Sequence, residues 1–190
     1  MRKRRWKPKE TQLHETAERP RVPVDPDKAR ERTFQRAVKL LAAKPRSVEE
    51  LRERLLEKQW TNETVVDAVI TKLREYGYLN DEQFAFGYAS FQVRQKPVGR
   101  QRLQRALALK KVDRETADQA IRQVFEETPE EHLIERAIER RVRLRGHPKT
   151  RAESKSLFDH LLRQGFSYEL VIRKVRAAAD AELNEEAEDM

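Results

Sequence analysis

The chain has 190 residues, 39% of them charged and 37% hydrophobic, with a formal charge of +8. It has no cysteine, which excludes disulfide scaffolds, thiol nucleophiles and cysteine-ligated zinc or iron–sulfur sites. No apolar run reaches the roughly 20 residues that span a bilayer, and the basic N-terminus has no apolar stretch behind it, so a cytoplasmic protein outside the membrane is expected.

Charge is uneven along the chain. Residues 1–30 carry ten Lys/Arg against five Asp/Glu, and residues 177–190 carry six acids and no base, so the middle is strongly basic. A basic body suits a polyanion or an acidic surface on a protein that holds one. Glycine is scarce and Leu, Ala, Glu, Arg and Lys dominate, a helix-forming composition. The expected fold class is all-α, with a thin core to which each helix contributes one apolar stripe.

Residues 1–28 read as a basic, proline-containing disordered tail: Pro8, Pro20, Pro23 and Pro26 stand among mixed charges without apolar periodicity. From Ala29 the spacing turns helical, with Phe34, Ala37, Val38 and Leu41 on one face, until Lys44-Pro45 stops it. Ser47 caps a second helix in which Glu50 completes a capping box and Val48, Leu51, Leu55 and Leu56 form the apolar face. Thr61 is the expected cap of a third helix through Val65, Val66, Val69, Ile70 and Leu73, with Gly77 as its C-cap.

The same pattern then recurs. Leu51, Leu55 and Leu56 are matched 52 residues later by Leu103, Leu107 and Ala108, and a further 54 residues on by Leu157, Leu161 and Leu162. Trp60-Thr61 pairs with Val112-Asp113 and Phe166-Ser167, and Val65 and Val69 pair with Ala117 and Ile121, then with Val171 and Val175. Glu63, Glu115 and Glu169 sit in the first turn of each third helix, and Pro45, Pro97 and Pro148 precede each second one. Core, cap, acid and breaker recur together, so the expectation is three tandem three-helix repeats (29–79, 80–127 and 128–178) forming an elongated, curved array. The second opens at Asp81 as N-cap, with Phe84, Ala85, Tyr88 and Phe91 on its first helix and Phe86 off the stripe. The third opens at Thr128-Pro129, with Pro in the first helical position and Leu133, Ile134, Ala137, Ile138 and Val142 inward. The last helix is expected to fade at Ala177–Ala179 into an acidic disordered tail, 179–190.

Nothing in the pattern assembles an active site. His14, His132, His147 and His160 are scattered, the His132/Glu135 pair is an ordinary i, i+3 coincidence, and the five glycines form no phosphate loop. The carboxylates interleave with Arg and Lys as solvated ion pairs do. No catalysis, cofactor or metal is expected. Two basic clusters stand out as binding surfaces: Arg94, Lys96, Arg100, Arg102, Arg105, Lys110, Lys111 and Arg114, with one acid among them, and a stretch holding Arg140, Arg141, Arg143, Arg145, Lys149 and Arg151. The aromatic residues read as packing, with Phe86 the candidate for exposure.

The chain resembles the RecX family in Arg46-Ser47-x-x-Glu50-Leu51, Leu55-Leu56, and Leu73-Arg74-Glu75-Tyr76-Gly77-Tyr78-Leu79-Asn80-Asp81. Phe84-Ala85 and Lys96-Pro97-Val98-Gly99 followed by Leu103 and Leu107 continue the likeness, which covers about residues 30–178. It departs where Lys58-Gln59 and Lys110-Lys111 replace the family's Lys-Gly, so those two turns are expected to close differently. A monomer is expected, and the resemblance implies a protein that binds the RecA filament on single-stranded DNA and modulates it, usually by inhibition, touching the DNA through the filament or directly. An alternative is a repeat protein that binds DNA without a recombinase; a third is a scaffold that recognises another protein.

Overall fold

The computed structural model describes residues 25–188, with side chains to residue 178; the expectations for residues 1–24 lie outside the described residues. Nine α-helices and no strand are present among them. These are α1 (Pro26–Ala43), α2 (Val48–Leu56), α3 (Glu63–Glu75), α4 (Asp81–Gln95), α5 (Arg100–Leu109), α6 (Arg114–Glu127), α7 (Glu130–Arg145), α8 (Arg151–Gln164) and α9 (Tyr168–Glu188). Packing groups them in threes: α1 and α2 on α3, α4 and α5 on α6, α7 and α8 on α9. The result is an all-α array of three-helix units.

Both ends of the array are more helical than the sequence reading allowed. Asp25 accepts from the Asp27 N–H and Pro26 takes the first turn, where its missing N–H costs nothing, so α1 starts three residues before Ala29. At the other end α9 runs to Glu188 instead of fading at Ala177–Ala179. Alanine, leucine and glutamate are all strong helix formers, and that propensity carries the backbone past the last core residue.

At two caps, adjacent residues competed for one role. Asn62, not Thr61, caps α3 through the Val65 N–H (2.9 Å), and Thr61 is buried instead. Asn80, not Asp81, caps α4 through Gln83 (3.0 Å), which leaves the Asp81 carboxylate for the Val48 N–H. Ser47 caps α2 through Glu50, but the box is only half made, because Glu50 turns to Lys110. The reciprocal box forms at α8, between Thr150 and Glu153. Pro129 stands just before α7 rather than inside it. On α1, Val38 is exposed while Ala29, Thr33 and Ala37 are buried. Phe86 is half-buried and Phe91 exposed, the reverse of the stripe reading.

With Asn62, Asp113 and Ser167 as equivalent caps, the repeat register shifts by one in the first unit. The buried counterparts of Ala117 and Ile121, and of Val171 and Val175, are Val66 and Ile70, not Val65 and Val69. The extra residue lies in the turn after α2. In the other two units that turn closes with crossed carbonyl contacts: Val112 N–H to Leu107 O and Lys111 N–H to Ala108 O, then Phe166 N–H to Leu161 O and Gly165 N–H to Leu162 O. Gly165 has φ +91° and Lys111 φ +58°. Lysine therefore occupies the left-handed position that glycine holds in the third unit, and the Lys110-Lys111 turn closes the same way, contrary to expectation. The Lys58-Gln59 turn does close differently: Thr61 N–H reaches Lys58 O and no residue takes a positive φ.

The core is in two parts. Leu51, Leu55, Val66, Ile70 and Leu73 belong to a cluster confined to the first unit, whereas Leu103, Leu107, Ile121, Leu133, Leu161 and Phe166 belong to one that spans the second and third. These two parts meet through polar groups. Ser47 Oγ donates to Lys110 O, Val48 N–H donates to Asp81 (2.8 Å), Lys110 Nζ pairs with Glu50 (2.7 Å) and Lys111 with Glu53.

Candidate nucleic-acid interface

The junction of the second and third units is built on two glycines. Gly99 N–H donates to Gln164 O and Gln101 N–H to Gly165 O, each at 3.0 Å. A side-chain carbon at Gly99 would collide with the backbone of Gly165 and Phe166, and one at Gly165 with the backbone of Arg102. Glycine is required here for close backbone approach. The Arg100 N–H donates to Glu130 (2.9 Å) while its guanidinium lies over the Phe125 ring at 4.9 Å.

That docking carries Lys96 and Pro97, at the end of α4, to α7 and α8. Together with Arg140, Arg141, Leu144, His160 and Gln164 they line a cleft of about 260 Å³. Arg141 also lines a neighbouring cleft of about 380 Å³ with Arg145, His147 and Ser156, and its Nη2 donates to Ser156 Oγ (3.0 Å). Arg102 Nη1 donates to Gln164 Oε1 (2.8 Å) at the edge of the first cleft. An anion entering it would meet a guanidinium aimed by a serine, an ammonium and an imidazole, a donor set suited to phosphate oxygens.

Electrostatics support that reading. Burial first, and then the guanidiniums of Arg145 and Arg163, pull Arg141 below its ordinary value. Burial, then Arg141, Arg163 and Arg145, hold His160 below the ordinary imidazole value. Both groups are crowded by like charge, and a bound anion would relieve the crowding.

The two clusters seen in the sequence are thus redistributed. Lys96 joins Arg140 and Arg141 across the inter-unit junction, with Arg102 beside them and Arg145 in the adjoining cleft. Lys110 and Lys111 are drawn the other way into ion pairs with α2, Arg100 is held by Phe125 and Glu130, and Arg114 reaches Asp118 on its own helix (3.7 Å). Arg105 is exposed, its Nε donating to Gln101 O (3.2 Å); Arg94, Arg143, Lys149 and Arg151 are exposed as well, and the Lys149 N–H donates to Glu153 (2.8 Å). Sequence reasoning missed His160 and Gln164, which carry no periodic signal and acquire a role only when α8 meets Pro97. No group of three or more potential metal ligands occurs among the described residues, and Glu135, singled out with His132, pairs with Lys174. No described helix is long and apolar enough to cross a membrane.

Comparison with known proteins places this arrangement. Residues 34–78 match the family model for the first three-helix domain of RecX, and residues 80–121 that for the second. The regulatory protein RecX of Bacillus pumilus is 28% identical over 156 residues, covering 82% of this chain and 59% of that protein. Its namesake in Bacillus subtilis is 31% identical over 142 residues, covering 73% and 52%. The chain thus spans somewhat more than half the length of the curated relatives it matches. The crystal structure of RecX from Lactobacillus salivarius superposes with a TM-score of 0.72 at 19% identity, over 82% of this chain and 99% of that one. A second RecX crystal structure gives 0.64 at 21%, over 76% and 70%. Two adjacent domain matches, curated relatives of that name and a common helical array all agree: the chain belongs to the RecX family.

Proposed function

We propose that this protein binds the RecA filament on single-stranded DNA and damps its strand exchange, ATP turnover and co-protease activity, with no chemistry of its own. The observation that carries this reading is the Lys96–Arg140–Arg141 cleft, which sits at a junction between units and not on any single one. A ligand contacting it bridges two units at once. An array with several such weak contacts can follow a repeating filament and bind it far more tightly than one contact would allow. The phosphates of filament-bound DNA, or carboxylates on the filament surface, are the partners this donor set would take.

The test is DNA-dependent ATP hydrolysis by a preformed RecA–single-stranded DNA filament, titrated with this protein, beside its binding to the same DNA alone. Inhibition well below the concentration that coats bare DNA supports a filament-directed regulator. Inhibition only when bare DNA is saturated makes it a competitor for DNA, and no effect in either titration contradicts both.

A further inference from the structure

The side of α4 toward the first unit carries a feature that the arginine cleft does not use. Phe84, Tyr88 and Phe91 recur at helical spacing and, with Lys44, Pro45 and Arg94, line a cleft of about 690 Å³. The Phe84 and Tyr88 rings stack with centroids 6.0 Å apart and planes 25° apart. Both pack against the core, but Phe91 is 54% exposed. Among the described residues no carboxylate lines this cleft, and Lys110 at its edge is already paired with Glu50. Aromatic faces flanked by cations and left open to water suit a ligand that is flat and apolar in one part and anionic in the next.

The neighbourhood says which such ligand. Arg94 lines the aromatic cleft and Lys96, two residues on, lines the arginine cleft, so the C-terminal end of α4 supplies one cation to each. A chain long enough to pass the end of α4 from the aromatic rings would meet cations on both sides of it. An apolar acidic peptide matches the first cleft, but only a regular polyanion matches both. We propose that Phe84, Tyr88 and Phe91 stack unpaired bases of single-stranded nucleic acid, whose phosphates continue onto Lys96, Arg140 and Arg141. A duplex keeps its bases stacked inward and cannot offer their faces, so the aromatic cleft confers single-strand preference. The phosphate track rests on the arginine cleft described above; the aromatic cleft can be tested apart from it and without recombinase.

The experiment is fluorescence anisotropy at fixed salt with an oligothymidylate, an abasic deoxyribose-phosphate oligomer of equal length, and a duplex. A peptide alternating glutamate and leucine serves as competitor. The base-bearing strand should bind about ten-fold more tightly than the abasic one, the share of one stacked base. Phe91→Ala should abolish that difference while leaving abasic affinity and its salt dependence unchanged; its ring is exposed, and thermal unfolding checks that the fold is kept. Lys96→Glu should weaken both strands alike. Equal affinities for the two strands, including none for either, would overturn the proposal. So would a Phe91→Ala loss shared equally by both, or Phe91-dependent capture of the peptide without any preference for bases.

Discussion

The array has two junctions built on opposite principles. Between the first and second units the contacts are polar: Glu50 to Lys110, Glu53 to Lys111, Asp81 to the Val48 N–H, Ser47 to a carbonyl. Between the second and third units the core is continuous and two backbones meet at Gly99 and Gly165. Polar contacts can be exchanged for water at modest cost, whereas apolar burial and close backbone packing resist it. The second and third units should therefore hold together more firmly around the arginine cleft than the first, which is tethered by salt-sensitive links. In a repeat array nearest-neighbour interfaces set cooperativity, so the two junctions should fail separately.

The largest effect tests the rigid junction. Gly165→Ala forces a side chain against Arg102 and onto a φ of +91°, and should cost about 3 kcal/mol or more, read as a lower Tm. Gly77→Ala has a similar φ of +71° but open space around it, and should cost only about 1 kcal/mol. Equal losses would mean that close packing at Gly165 adds nothing.

The polar junction is tested next. Glu50→Ala leaves the half-buried Lys110 ammonium unpaired, and should destabilise the first unit by about 1–2 kcal/mol without touching the other two. Hydrogen exchange resolved along the chain reads this out: protection should fall in α1–α3 alone. Glu53→Ala, at a pair that is about half exposed, should cost under about 1 kcal/mol and less at high salt.

The smallest effect is a dependence on pH. His160 has a folded value below its unfolded one, so the stability it supports is present above about pH 6.5 and is lost as the pH falls through the folded value. An anion in the cleft favours the imidazolium, so binding should take up a proton and strengthen over the same fall in pH. His160→Gln should flatten both curves; unchanged curves would remove His160 from the cleft's chemistry.

The sequence made the helices legible because their signals are local: leucines at fixed spacing, prolines before α2, α5 and α8, carboxylates in first turns. It misplaced the α3 cap because Thr61 and Asn62 are both capable of capping and only packing chooses between them. It could not foresee that Lys111 would take a glycine's conformation, which its turn imposes. The candidate site was legible as charge but not as geometry. Lys96 and Lys110 fall in one basic run, yet one faces the third unit and the other the first. That division follows from contacts 60 or more residues apart in sequence, such as Lys110 to Glu50 and Arg102 to Gln164, which no helical wheel contains.

The central claim is that the cleft joining Lys96, Arg140 and Arg141 is the surface through which the protein acts. Its most direct test is inhibition of ATP hydrolysis by a preformed RecA filament, comparing the Lys96→Glu/Arg140→Glu/Arg141→Glu protein with one reversed at three exposed cations elsewhere, Lys39, Arg122 and Arg176. The two carry the same net charge. The cleft variant should need at least ten-fold more protein for half-inhibition while the control stays near the unaltered protein. Equal losses in both would reduce the cleft to bulk charge and contradict the account.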